Sequence, residues 1–410
     1  MFALLIVAGT ILHLLSLYVA VVRGGLSAVQ DPLEYRLIAE HLVSGDGFSI
    51  LAGIPDLLRT PGYPLLLAAS LALFGSVVPA LIVQQGMLVA VAWLAASLGR
   101  ALGVGRVGQC FIAAFVLFEP ASWFLSLQTL SETMAMLLAL VFFGYASHVW
   151  TPRVCSRAGT LGILGALLIL VKPNLALAVA LGISASSFYA ARARIRSLLA
   201  SVLLIMVLLT PWLARNYALT GHVVLSSSFP VNLVIGFGTA DEVAHVKDGP
   251  AIYDTKGRRG FAFTSFTAAG YESASRLAHA ILARRSFWSL VREQFIDAPS
   301  LWFGHPYDSL LEVAGIALTA QAREAITLVD TVSWSLLLAF FITGLWHGTR
   351  RHGIAALSAV LVFASVLLPN LSISYYRMLV PLYPLIAVFA CAGAEYVRML
   401  GMRVHARVAS

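Results

Sequence analysis

The chain has 410 residues, of which 60% are hydrophobic and only 11% charged, and its mean hydropathy is +0.88. A soluble core of this size has no need of apolar stretches of about 20 residues, yet they recur along the chain, so composition points to a polytopic helical membrane protein. The formal net charge of +8 sits mostly in short arginine-bearing loops with no basic run of interleaved aromatics, which leaves a nucleic-acid partner without support.

The first apolar stretch, residues 3–22, lacks a basic leader and a small-residue cleavage site and is expected to be a retained first span. An outward loop, 23–62, follows. It holds five carboxylates and two arginines within residues 31–64, next to the bilayer. Asp31 before Pro32 predicts a helix start with Glu34 as its capping-box partner, and Gly45 is placed to end that helix. Its apolar residues Leu33, Leu37, Ile38 and Leu42 predict a helix lying on the membrane surface. Residues 62–76 are apolar but short and are expected to form an interfacial or re-entrant helix.

Further spans are expected at 79–99, 107–126, 132–149, 159–172, 174–191 and 197–213. After the long polar stretch 214–328 come three more, at 329–346, 354–369 and 378–397, giving about ten crossings. The long stretch carries a charged, glycine-rich piece, a helical pattern from Tyr271 to Phe295 and the aromatic run Leu301 to Tyr307, and a loop of that length predicts a function or disorder. The expected divisions are an N-terminal transmembrane module 1–213 with its loop 23–62, the loop 214–328 with interfacial helices, and a C-terminal transmembrane part 329–410. Twelve arginines fall in the short loops on one side, among them Arg100, Arg106, Arg350, Arg351 and Arg398. The short loops on the other side carry Lys172 and Arg377, so both termini are expected to be cytoplasmic. Arg23, just outside the first span, runs against that bias.

Cys110, Cys155 and Cys391 form no disulfide framework or paired metal-ligand spacing. No phosphate loop or dinucleotide fingerprint occurs on the cytoplasmic side. An outward-facing site has no ready nucleotide-sugar supply, whereas a donor already in the bilayer, with a phosphate headgroup at the interface, would meet the basic residues expected at outer boundaries: Arg59, Lys172, Arg215 and Arg377. Arginine suits phosphate because its planar fork donates two parallel hydrogen bonds. Each residue also has a plainer role. Asp31 and Glu132 fit helix starts, where the helix dipole favours a carboxylate. Arg215 and Lys172 fit headgroup anchors. Glu34, Glu40, Asp46 and Asp56 read most simply as solvated loop charges, and His13 and His148 as packed or interfacial groups.

The ordered set Asp31-x-x-x-Tyr35, Gly45-x-Gly47-Phe48, Arg59-x-Pro61-Gly62-Tyr63-Pro64, Ser131-Glu132, Lys172-Pro173, Pro211-Trp212-x-x-Arg215-Asn216-Tyr217 and Tyr376-Arg377-x-x-x-Pro381-x-x-Pro384 resembles the GT-C glycosyltransferases. Within them it looks like the group of protein O-mannosyltransferases, aminoarabinose transferases and bacterial lipopolysaccharide-core sugar transferases. The resemblance covers most of the chain and implies an all-α, GT-C-like enzyme of the bacterial inner membrane with a periplasmic active site. It implies inverting transfer of a sugar from a polyprenyl-phosphate carrier to a lipid or glycan acceptor, among membrane lipids. Asp31 matches the first-loop aspartate that acts as general base or positions the acceptor. Glu132, the second candidate catalytic residue, matches an acidic position at the outer start of a span, where it would tune or brace the site. Arg59, Lys172, Arg215 and Arg377 would hold the donor phosphate, and Tyr35, Tyr63 and Tyr376 would shape the substrate site. Lys172 departs from the arginine common in relatives and brings a point charge without a fork. No cofactor is required for a monophosphate donor, although separated carboxylates meeting in space leave Mg or Mn open. The alternative from another class is a transporter or flippase of a lipid-linked or amphipathic anion, and a lipid phosphatase or glycan ligase would use a similar donor.

Overall fold

The structure is a computed structural model that describes residues 1–22, 31–147, 149, 154–188, 194–247, 251–253, 259–261, 267–286, 288–290, 292, 318–351 and 376–408. Along the chain lie α1 (Phe2–Val22), α2 (Asp31–Ser44), a hairpin of β1 (Ser49–Leu51) and β2 (Ile54–Pro55), α3 (Gly62–Phe74), α4 (Val78–Ala101), α5 (Arg106–Phe118), α6 (Pro120–Ser126) and α7 (Glu132–Ala146). They are followed by α8 (Val154–Val171), a 3-10 turn (Pro173–Leu175), α9 (Ala176–Phe188), α10 (Arg194–Thr220), α11 (Ser228–Phe237), α12 (Ala240–Lys247), and the strands β3 (Ala251–Tyr253) and β4 (Arg259–Phe261). The last elements are α13 (Ala268–Arg284), α14 (Ala320–Arg351), two 3-10 turns (Tyr376–Met378 and Val380–Leu382) and α15 (Tyr383–Val408).

This is a multi-pass helical membrane protein. Five helices, α1, α4, α10, α14 and the stretch Val380–Met402 within and before α15, are long and apolar enough to cross a membrane. The bent pair α5 and α6 makes a sixth if it is one span. The expected count of about ten is not reached at full length among the described residues. Helices α3, α7, α9 and α11 are apolar but short; the 15 residues of α7, for example, rise roughly 22 Å against a hydrocarbon core of about 30 Å. The span expected at 354–369 and the aromatic run at 301–307 lie outside the described residues.

The span expected at 107–126 is broken, with a 48° bend between α5 and α6. Pro120 has no N–H to continue the helix and keeps Glu119 extended, and the Glu119 carboxylate then caps α6 through the N–H groups of Ala121 (3.0 Å) and Ser122 (2.7 Å). Helix α1 buries a stripe of Gly9, His13, Leu17 and Ala20 against α4 and α5 and exposes Leu4, Ile11, Leu15 and Tyr18. Helix α10 exposes Leu199, Leu203 and Met206 in the same way. Water would penalise such apolar faces, whereas lipid would not. Helices α14 and α15 cross closely at Gly344 and Gly393, where an added Cβ would run into the facing backbone.

A second, smaller core holds α2, the β1–β2 hairpin, α11 and α13 together through Leu33, Ile38, Ile50, Val234, Ala278 and Ile281. This corrects the expectation that α2 lies on the membrane surface. Its apolar face, with Leu37 and Leu42 at the margin, packs on protein. Gly45 ends α2 as expected, at φ +91°. The two hairpins were not anticipated. The first turns at Gly53 (φ +77°), a conformation that glycine adopts without steric cost, and returns the chain toward α2.

Candidate active site

Five segments deliver charge to one cavity of about 470 Å³. Asp31 is the first residue of α2, Arg59 follows the first hairpin, Glu132 opens α7, Lys172 directly follows α8, and Arg377 lies in the 3-10 turn Tyr376–Met378 before α15. Local chemistry explains each placement. The N–H of Arg59 donates to Asp56 Oδ2 (2.9 Å), a turn closed by a side chain. Thr60, Pro61 and Gly62 then lead into α3, and Gly62 lies so close to α8 that a Cβ there would meet Val171 at 2.6 Å and the Leu170 carbonyl at 2.8 Å. Glycine at 62 therefore lets the Arg59 segment approach Lys172. The start of α2 is pinned by Thr129, whose hydroxyl donates to the Pro32 carbonyl (2.8 Å).

The charges are paired crosswise. Arg59 donates from Nη2 to Asp31 Oδ1 at 2.5 Å and also to Glu34 Oε2. Arg377 donates from Nη1 to Asp31 Oδ2 (3.0 Å) and from Nη2 and Nε to Glu132 Oε1 (2.7 and 2.9 Å). Lys172 adds a third donor to the same Glu132 oxygen at 3.1 Å. Glu132 is 2% exposed, and its Oε2 is buried without a hydrogen-bond partner among the described residues. The Asp31 side chain, by contrast, is 25% exposed. Both Asp31 oxygens are thus held by guanidinium groups, a use the helix-cap expectation did not include. Tyr35 lines the cavity, lies 3.3 Å from Ser131 Oγ and faces the Arg59 guanidinium at 5.1 Å. Tyr63 stands behind it, edge-on to Tyr35, with its hydroxyl donating to Gln84 (2.8 Å). The Tyr376 side chain lies outside the described residues.

Glu34 and Asp56 correct the reading of solvated loop charges, since both are fully buried. Burial pushes the Glu34 carboxyl up, an effect that Arg59 offsets in part and Asp31 reinforces. Burial likewise pushes Asp56 up to about 7, against the N–H of Arg59. For Asp31, burial would raise the pKa too, but Arg59 and Arg377 outweigh it and hold the carboxyl well below the usual range.

Arg215 stands apart from this cluster. Its guanidinium donates to the carbonyls of Asp56 (2.7 Å) and Phe48 (3.0 Å) and to Asn216 Oδ1 (2.8 Å), and packs over the rings of Trp212 and Phe48. It braces the two ends of the first hairpin, just ahead of Arg59. Helix α11 was not singled out from the sequence, yet its Ser228, Val231, Asn232 and Ile235, spaced as one helical face, complete the cavity with Asn174 and Met378. A short apolar helix with two polar residues on one side was the signal available. Among the described residues, no group of three or more His, Cys, Asp and Glu side chains could hold a metal ion.

No protein-family model and no curated protein matches the chain. A comparison with solved structures finds a likeness to ArnT from Cupriavidus metallidurans, in a crystal structure bound to undecaprenyl phosphate, with a TM-score of 0.42 and 16% sequence identity over 96% of this chain and 77% of that one.

Proposed function

We propose that this protein is an integral-membrane glycosyltransferase that moves a sugar from a polyprenyl-phosphate carrier to a hydroxyl of a lipid or glycan acceptor at the periplasmic face. The observation that carries this is the convergence of Arg59, Lys172 and Arg377 with Asp31 and Glu132 on one cavity at an end of a membrane bundle. A lipid-borne donor can place its phosphate there and leave its tail among the helices.

The chemistry is a displacement at the anomeric carbon. Asp31 takes the acceptor O–H proton, the acceptor oxygen bonds to the anomeric carbon, and the carbon–phosphate oxygen bond breaks with its electron pair going to the phosphate. A phosphodiester monoanion thereby becomes a phosphomonoester that carries more negative charge. Three fixed cations favour that extra charge, and stabilisation of charge that develops in the transition state is the largest lever such a site has. The pairing of these charges adds control. With Arg59 and Arg377 on its two oxygens, Asp31 is a weak base. A donor phosphate would draw both guanidinium groups to itself, raise the Asp31 pKa and free an oxygen for the acceptor.

Radiolabelled sugar on several polyprenyl phosphates, supplied to proteoliposomes, tests this. Label leaving the carrier for a hydroxylated acceptor is the expected result. Label that stays on the carrier and crosses the bilayer would make the protein a transporter instead.

A further inference from the structure

We propose that Asn174 and Glu132, with Asn232 and Ser228 from the lining of the same cavity, form a subsite that reads hydroxyl groups of the donor sugar. This rests on the function proposed above. The cations of the cavity suit phosphate, but two buried atoms in the same lining call for different chemistry. Asn174 Oδ1 and Glu132 Oε2 are both acceptors, both buried, and both without a hydrogen-bond partner among the described residues. The Asn174 amide nitrogen faces the thioether of Met378 at 3.7 Å, a weak acceptor.

Buried polar atoms are ordinarily satisfied, and an unsatisfied one costs free energy that a matching donor returns. The match must present donors. A phosphate or a prenyl chain offers none to an amide carbonyl or carboxylate oxygen, whereas a sugar presents several O–H groups on one ring. Asn174 follows Lys172 by two residues on the 3-10 turn after α8, so a ring whose phosphate meets Lys172 lies within reach of the amide. Val231 and Ile235 alternate with Ser228 and Asn232 on the facing side of α11, giving apolar surface for the C–H face of a ring between polar groups for its hydroxyls. The substrate class this selects is a hydroxyl-bearing pyranose or furanose on the carrier phosphate.

The test compares wild type, Asn174→Leu and the smaller Asn174→Ser in proteoliposomes. The donors are short-chain polyprenyl-phosphate hexoses and pentoses, each with its set of monodeoxy analogues. Bare polyprenyl phosphate binding serves as the control for folding and for the phosphate site. A site built to bond a hydroxyl rejects the analogue lacking it. Wild type should therefore lose at least about tenfold in kcat/KM with one particular deoxy donor. Asn174→Leu or Asn174→Ser should bind bare polyprenyl phosphate normally and treat the full donor and that one deoxy donor alike. Variants that keep the wild-type discrimination against every analogue overturn the subsite while leaving the transferase standing. A wild-type protein that transfers sugar from none of the donors overturns the functional reading and the subsite with it.

Discussion

Arg377 and Asp31, 346 positions apart in the chain, are hydrogen-bonded at 3.0 Å, and the same guanidinium holds Glu132 through two further donors. One planar side chain thus ties the start of α2 to the start of α7. An ammonium has no such geometry, because it is a compact point charge on a flexible stem. Arg377→Ala should lower transfer by about 10²- to 10³-fold, as loss of one charge-stabilising donor does elsewhere, and Arg377→Lys should recover little of it. Initial-rate kinetics in proteoliposomes measures this; an Arg377→Lys variant within threefold of wild type would remove the fork from the argument.

In the proposed mechanism Asp31 competes with the donor phosphate for Arg59 and Arg377, and this gives its removal a double signature. Asp31→Asn should abolish most transfer, by about 10²-fold or more for loss of a general base. It should also bind the bare carrier phosphate more tightly, because two guanidinium groups lose a carboxylate partner. A binding titration beside the transfer assay separates the two effects. Weaker binding in Asp31→Asn would mean that Asp31 supports the phosphate site without competing for it.

How much of this was legible depends on range. In a chain with 11% charged residues, a charge at the boundary of an apolar stretch is conspicuous, and Asp31, Arg59, Glu132, Lys172 and Arg377 were all visible in that way. What they bond to was not, since their partners lie on other segments. Glu34 and Asp56 looked solvated because the cover that buries them comes from tertiary packing that no local pattern encodes. Arg215 resembled its basic neighbours, and its carbonyl partners flanking the first hairpin, 159 and 167 positions away, set it apart. The break before α6 was written in Glu119-Pro120, whereas the shortness of α7 and α9 was not, because apolar composition does not fix where a helix ends.

Asp56 and Asp31 should impose opposite pH dependences. The folded-state pKa of Asp56 is raised to about 7, so between its unfolded value near 3.9 and about 7 the folded protein binds more protons, and stability falls as pH rises through that window. Asp31 is depressed, so its contribution is present above about pH 4 and is lost only as pH falls below that. Asp56→Asn keeps an acceptor for the Arg59 N–H and removes the titration. Its apparent unfolding temperature in detergent should therefore fall less than that of wild type between pH 5 and 7, with a residual slope from Glu34, which is shifted in the same direction. Identical slopes would show that Asp56 does not titrate in that range.

Arg215 should behave as a brace. Its guanidinium reaches two backbone carbonyls of the segment that presents Arg59, and a buried carbonyl deprived of a charged donor typically costs about 1–3 kcal/mol. Arg215→Ala should lower thermal stability and kcat together, whereas Arg377→Ala should act on donor binding and transfer with less loss of stability.

Gly62 sets the distance between the Arg59 segment and α8. A side chain there meets a backbone carbonyl as well as Val171, and a backbone cannot rotate aside. Gly62→Ala should cost roughly 1–3 kcal/mol, as overpacking does, and Gly62→Val more. Displacing the segment would also draw Arg59 and Asp31 away from Lys172 and Glu132. Transfer should then fall in both variants by more than stability explains, because a misplacement of about 1 Å in a charge-stabilising site can cost on the order of 10²-fold in rate. Measuring residual transfer at a temperature where each variant is fully folded isolates that geometric part, and full activity there would mean that the close contact serves packing alone.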